Sequence, residues 1–196
     1  MINQEIAKIF YEIASYLEMQ EVAFKPQAYE KAALSLEALS EDVKEIYKKD
    51  GLKGLKKIPG IGESIAEKIV EFLKTGKIRE YQALKKKMPV DIEELTAVEG
   101  VGPKMVRDLY KYLKIKNLKE LEKAAKQGKI RDLPHFGLKT EQNILKGIEF
   151  LKRDKGRFLL GEILPIVKKI EENLKTLKEV EKISVAGSVR RMKETI

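Results

Sequence analysis

The 196-residue sequence has no cysteine, no tryptophan and a single histidine, His135. Without cysteine there are no disulfides, no thiolate zinc sites and no cysteine nucleophiles. One histidine excludes His-rich metal centres and most histidine-based triads. No apolar run approaches the roughly 20 residues that span a bilayer. The start, Met1-Ile2-Asn3-Gln4-Glu5, lacks the basic and apolar stretches of a secretory signal. These absences point to a soluble, cytoplasmic protein with no membrane partner. Nothing in the pattern calls for an obligate dimer, so a monomer is expected. The apolar fraction of 43% is enough to build cores.

What the chain has in quantity is charge. Forty Lys plus Arg oppose 31 Asp plus Glu, a formal net of +9. The excess is unevenly spread: residues 1–50 carry ten acidic and six basic side chains, and the positive balance builds downstream. A basic excess of this kind suits a polyanionic partner, although lysine-rich helix faces also occur without one.

Periodicity predicts helices almost throughout. Ile6, Ile9, Phe10, Ile13 and Leu17 recur at three- and four-residue spacing. A second helix follows Pro26, with Ala28, Tyr29, Ala32, Ala33, Leu36 and Leu39 on one side. Ser40 is the expected cap of a third, over Glu41–Lys48. Lys85-Lys86-Lys87-Met88-Pro89 reads as a linker, and a long helix is expected at about 159–176. Ile183 and Val185, with Val180, then alternate with polar residues before Gly187, the signature of a strand. A strand there lacks partners in the rest of the sequence, so the pattern looks like the front part of a longer protein. The expected fold class is therefore mainly α: two small helical subdomains followed by the first helix and strand of a larger domain.

Aligned on its glycine turns, the chain repeats itself. Ile58-Pro59-Gly60-Ile61-Gly62 and Val98-Glu99-Gly100-Val101-Gly102 each precede a helix with apolar residues at matching places. Leu133-Pro134-His135-Phe136-Gly137 is a degenerate third copy, with His135 in place of the first glycine. The first glycine of each turn permits positive φ, and the apolar residue after it anchors the turn in the core. The second glycine opens a helix whose unpaired N–H groups face outward, bare of side chain, where a phosphate oxygen can approach. Lys104 and Arg107 add charge nearby. Such contacts ignore base identity, so the expected binding is sequence-independent and salt-sensitive. The third copy is read as packing, with His135 a turn or packing residue rather than a ligand.

The ordered set of two glycine hairpins, a preceding Ala28-Tyr29-Glu30-Lys31-Ala32-Ala33 helix and a terminal Gly187-Ser188-Val189-Arg190-Arg191 resembles the family X DNA polymerases. The resemblance covers essentially the whole chain. It implies an N-terminal domain over residues 1–82 that binds the 5′-phosphate side of a gap. Residues 88–150 would form a second helix–hairpin–helix subdomain on the primer side, and residues 155–196 the beginning of the nucleotidyl-transfer palm. The partners implied are gapped or nicked duplex DNA and, for the whole polymerase, a deoxynucleoside triphosphate.

The resemblance also assigns residues. Lys68 falls where family members with deoxyribose-phosphate lyase activity carry their Schiff-base lysine, and the residues alone equally allow a solvated flank lysine. Lys25 aligns with a lysine on the 5′-phosphate and Tyr29 with a supporting tyrosine. Ser64, within the first hairpin's DNA-binding set, and Glu80 stand where the animal enzyme has phosphate-pocket lysines. Gly60, Gly62, Gly100 and Gly102 are the DNA-binding turns. Gly187, Ser188 and Arg191, with Arg157, would meet the incoming triphosphate. Backbone groups of Ile58, Gly60, Val98 and Gly100 would hold a monovalent ion, Na⁺ or K⁺. The family's Mg²⁺-binding aspartates come a few residues past the position of Ile196, so this chain is expected to bind gapped DNA without polymerising. A second reading stays open: a non-catalytic tandem hairpin module that recruits repair partners.

Overall fold

The computed structural model describes residues 2–154, 159–177, 180 and 182–192. Eleven helices follow one another in the described chain: α1 (Ile2–Met19), α2 (Lys25–Ala38), α3 (Val43–Lys56), α4 (Glu63–Thr75), α5 (Arg79–Lys87), α6 (Ile92–Thr96), α7 (Pro103–Leu113), α8 (Leu118–Lys126), α9 (Leu138–Asp154), α10 (Leu160–Lys175) and α11 (Gly187–Arg190). The mainly α expectation holds. None of the helices among the described residues is long and apolar enough to cross a membrane.

The chain divides into two compact units, Met1–Ile148 and Glu149–Ile196. In the first, α1 is the central post and touches α2, α3, α5, α6 and α7. Its stripe of Ile6, Phe10, Ile13 and Leu17 is buried, as the spacing demands. Phe10 meets Tyr29 of α2 edge-to-face, with ring centroids 5.4 Å apart. Tyr16 donates across 74 residues of sequence to the carbonyl of Val90 at 3.0 Å, a buried bond. The boundary expected between residues 82 and 88 thus falls inside one compact unit. Lys85, Lys86 and Lys87 are no linker: they form the last turn of α5, where positive charge suits the carbonyl end of the helix.

The third helix also departs from the sequence reading. Asp42, not Ser40, caps it, accepting from Lys44 N–H at 2.8 Å. The reason lies in α1. Buried Asn3 donates to the Glu41 carbonyl and accepts from Val43 N–H, both at 2.9 Å, and so sets where α3 begins. The helix continues past Lys48 to Lys56, kinked where Gly51 takes φ 61°.

In the second unit, α10 carries exposed Ile166, Ile170 and Leu174. The strand expected at Ile183 and Val185 does not form: no strand element appears among the described residues. An isolated extended segment without a neighbouring ladder has no partner for its backbone groups, so alternation alone does not make it a strand. Gly187, with φ 66°, and Ser188 instead open the four-residue α11, and Arg191 is its C-cap. Arg157 lies outside the described residues.

Candidate nucleic-acid interface and lysine pocket

The two glycine hairpins are built alike. Gly60 and Gly100 take φ 78° and 82°, the left-handed region that glycine enters without penalty. Ile61 N–H closes the first turn onto the Ile58 carbonyl at 3.1 Å, and Val101 N–H closes the second onto Val98 at 2.9 Å. Ile58, Ile61, Val98 and Val101 are all buried, anchoring both turns in the core. Behind the first turn stands α2, since a Cβ placed on Gly60 would lie 3.4 Å from Cβ of Lys31.

Gly62 and Gly102 have a different reason to be glycine. Their φ values of −84° and −93° are open to any residue, and an added Cβ would meet no atom within 4 Å. Neither fold nor packing requires glycine here. Each is the N-cap of its helix with no side chain capping it, and the first bonds of the two helices run from Ala66 to Gly62 at 2.9 Å and from Val106 to Gly102 at 3.1 Å. The N–H groups ahead of those bonds, fewer in α7 because Pro103 has none, lie at the positive end of the helix dipole with no side chain capping them.

The third copy has the same frame. His135 adopts φ 67°, and Phe136 N–H closes onto the Leu133 carbonyl at 3.1 Å. His135 is exposed, so it is a turn residue and not a packing one. Packing falls to Glu141, at a position where the other copies carry buried Ala66 and Val106. Its carboxylate accepts from Ile130 N–H and Arg131 N–H, both at 3.1 Å, and pairs with the Arg131 guanidinium at 2.6 Å. Burial pushes this carboxyl up, but the Arg131 and Ile130 bonds outweigh it and hold it below the usual carboxylate range.

Among the charged residues singled out by sequence, Lys104 is exposed beside the second hairpin. Arg107 is engaged: Glu21 holds Nη1 at 2.7 Å and Asp108 holds Nε at 2.9 Å, tying α7 to the α1–α2 turn. That turn is irregular, with Glu21 at φ 58° and Phe24 at φ 63°. Phe24 exposes 84% of its surface beside exposed Lys25. Hydrophobic periodicity gave no reason to single out this ring, because it belongs to no helix stripe.

Lys68 is not a solvated flank lysine. Its side chain is 18% exposed and its Nζ has a full set of acceptors: Glu80 Oε2 at 3.1 Å, Ser64 Oγ at 3.1 Å and the Ser64 carbonyl at 3.4 Å. It also sits 6.0 Å above the Tyr29 ring. The Tyr29 hydroxyl donates to the same Glu80 oxygen at 2.8 Å. Three helices converge to make this pocket. Tyr29 comes from α2 and Ser64 and Lys68 from one face of α4. Gly76, at φ 68°, ends α4 so that buried Ile78 leads into α5 with Glu80 in its first turn. Desolvation raises the Glu80 carboxyl, yet Tyr29, Lys68 and the charge of Lys25 together hold it below the ordinary range. Burial, then the bond to Glu80, pushes the Tyr29 hydroxyl far up. At neutral pH the pocket therefore contains a carboxylate and an intact phenol.

Similarity to known proteins agrees with this geometry. A profile described as a helix-hairpin-helix domain matches residues 1–78, and one described as a SAM-like helix-hairpin-helix tandem matches residues 92–149. The second span includes both the second and third turns. Over its whole length the chain is 32% identical to the "DNA polymerase/3'-5' exonuclease PolX" of Bacillus subtilis (strain 168). Over that length it resembles the N-terminal part of a family X DNA polymerase. It spans 34% of the length of that Bacillus relative. Ninety-four residues, 47% of the chain, are also 31% identical to a DNA ligase of Fervidobacterium nodosum and cover 12% of it.

No cluster of three or more His, Asp or Glu among the described residues could hold a metal ion. The donor set at the two glycine hairpins is of another kind. The Ile58 and Val98 carbonyls each accept one turn N–H, and a carbonyl oxygen has a second lone pair. Neutral oxygens of this sort fit a weakly charged cation.

Proposed function

We propose that this chain binds gapped or nicked duplex DNA through phosphate contacts and serves a gap-filling repair polymerase. The observation that carries the proposal is the pair of second-position glycines. Gly62 and Gly102 need not be glycine for folding, yet both leave helix N-termini bare. Phosphate oxygens would lie on those N–H groups, with Lys104 close by and Lys25 at the 5′ end of the gap. Phe24 offers a face for stacking on an unpaired base. A Na⁺ or K⁺ ion on the carbonyls of Ile58, Gly60, Val98 and Gly100 would bring positive charge to the same phosphates. Gly187, Ser188 and Arg191 would meet the triphosphate in the whole polymerase, whose Mg²⁺ supplies the chemistry of nucleotidyl transfer.

The finer part of the reading is deoxyribose-phosphate lyase activity at Lys68. Its amine would condense with the C1′ aldehyde of an abasic residue at the gap's 5′ end. Support comes from a shielded lysine held among Ser64, Glu80 and Tyr29, rather than one on an open helix face. Borohydride reduction of a mixture of this chain with a 5′-deoxyribose-phosphate duplex is expected to trap a covalent complex. Lys68→Ala should reduce that complex to background; a complex that persists in Lys68→Ala removes Lys68 as the nucleophile. A non-catalytic binding module is the second reading, favoured by the likeness of half the chain to a DNA ligase. It predicts binding with no trapped complex in the unmodified protein.

A further inference from the structure

Glu80 occupies a position in the lysine pocket that a simple counter-ion would not need. Its Oε2 is shared: Lys68 Nζ lies 3.1 Å away and the Tyr29 hydroxyl 2.8 Å away, from two different helices. Tyr29 is itself buried and fixed by the Phe10 ring, so the carboxylate oxygen is held in one place relative to Nζ. We infer that Glu80 is the catalytic base of the elimination that follows Schiff-base formation at Lys68. The inference rests on the lyase reading of Lys68 and deepens it.

The geometry supplies the reason. In a Schiff base on Lys68 the C2′ carbon is two bonds beyond Nζ, about 2.5 Å away by ordinary bond lengths. An oxygen anchored 3.1 Å from Nζ is therefore within proton-transfer reach of the C2′ hydrogen. Neither Ser64, a neutral hydroxyl, nor Tyr29, whose proton is committed to Glu80, is a comparable acceptor.

The steps balance. The Lys68 ammonium passes a proton to water, and the free amine attacks the C1′ aldehyde to form the Nζ–C1′ bond. Water returns a proton to the carbinolamine oxygen, which leaves as water, and the product is an iminium facing the Glu80 carboxylate. Glu80 then takes the C2′ proton, a C2′–C3′ double bond forms and the C3′–O bond breaks. The departing oxygen stays on the downstream strand as its 5′-phosphate. Water hydrolyses the iminium, releasing the unsaturated aldehyde and the Lys68 ammonium, and Glu80 gives its proton to solvent.

The test separates the two halves of the reaction on one substrate, a duplex with a 5′-deoxyribose phosphate in a one-nucleotide gap. Glu80→Gln keeps an acceptor for both Tyr29 and Lys68 and so preserves the pocket. In this variant borohydride trapping is expected to persist, while release of the sugar falls by about 10²-fold or more, the usual weight of a general base. Release at the unmodified rate would overturn the role of Glu80 and leave that of Lys68 standing. Parallel loss of trapping and release would make Glu80 a positioning residue for the lysine, and the base assignment would fall. Absence of trapping in the unmodified chain overturns the lyase reading and this inference together.

Discussion

A chain carrying both Gly62→Asn and Gly102→Asn is expected to bind gapped duplex at least about a hundredfold more weakly, with its stability intact. Asparagine is among the best N-cap residues and differs from glycine there by only a few tenths of a kcal/mol, roughly. Backbone angles at both positions suit it, and nothing stands within 4 Å of either Cβ. Its side-chain oxygen would accept from the same first-turn N–H groups that a phosphate is proposed to use. Hydrogen bonds to a charged acceptor contribute about 1.5–3 kcal/mol each, so losing one per hairpin removes roughly 3–6 kcal/mol. At about 1.4 kcal/mol per decade that is a hundredfold or more.

Fluorescence anisotropy across a salt series reads the effect. The slope of log K against log salt should also flatten by about 0.9 for each phosphate that the variant no longer neutralises. Unchanged affinity with a normal unfolding curve would show that the helix N-termini do not touch the DNA. Asparagine is the informative choice because it adds no charge and repairs the cap. Substitution at Gly60 or Gly100 would be ambiguous by comparison. Their φ values of 78° and 82° add about 1–3 kcal/mol of strain for a β-branched residue, so fold and binding would change together.

Glu141→Ala is expected to be the most destabilising single change outside the aliphatic core, at about 2–4 kcal/mol. Removing one member of a buried pair leaves its partners uncompensated, which typically costs about 3–5 kcal/mol. The lower figure allows for Arg131, whose side chain is 45% exposed and can turn to water. Ile130 is fully buried, and its N–H would keep no acceptor in place of Glu141. For a chain of this length the midpoint should fall by roughly 2–4 °C per kcal/mol.

The same residue sets an acid limit. A carboxyl held below its usual value stabilises the fold above the unfolded-state pKa, about 4.3. That stabilisation is lost as pH falls through the lower folded value. Glu141→Gln should therefore flatten the decline of stability below about pH 4. Equal acid sensitivity in the variant and the unmodified chain would place the titrating group elsewhere.

Much of the fold could be read from the chain. The α1 stripe, the two glycine hairpins and the helix near 159–176 follow from spacing, because helical phase and left-handed glycine turns are local properties. The third hairpin was visible only as a degenerate copy, since its two informative residues break the pattern. His135 enters the left-handed region without being glycine, and Glu141 puts a carboxylate where Ala66 and Val106 are apolar. The α3 cap moved from Ser40 to Asp42 because Asn3, nearly forty residues earlier, fixes the loop. A strand at Ile183 could not be judged from alternation, because a strand exists only with a partner.

By itself, then, the sequence determined the helical class, the repeated turns and the sign of the charge that a DNA partner would meet. All three follow from composition and from interactions within a few residues. Tertiary structure alone decided which charges are available. Lys104 stays exposed while Arg107 is taken up by Glu21 and Asp108. It also decided that Glu80 stands beside Lys68 and Tyr29. Those meetings depend on how α2, α4 and α5 pack through buried side chains, and linear spacing carries no record of where separate helices converge.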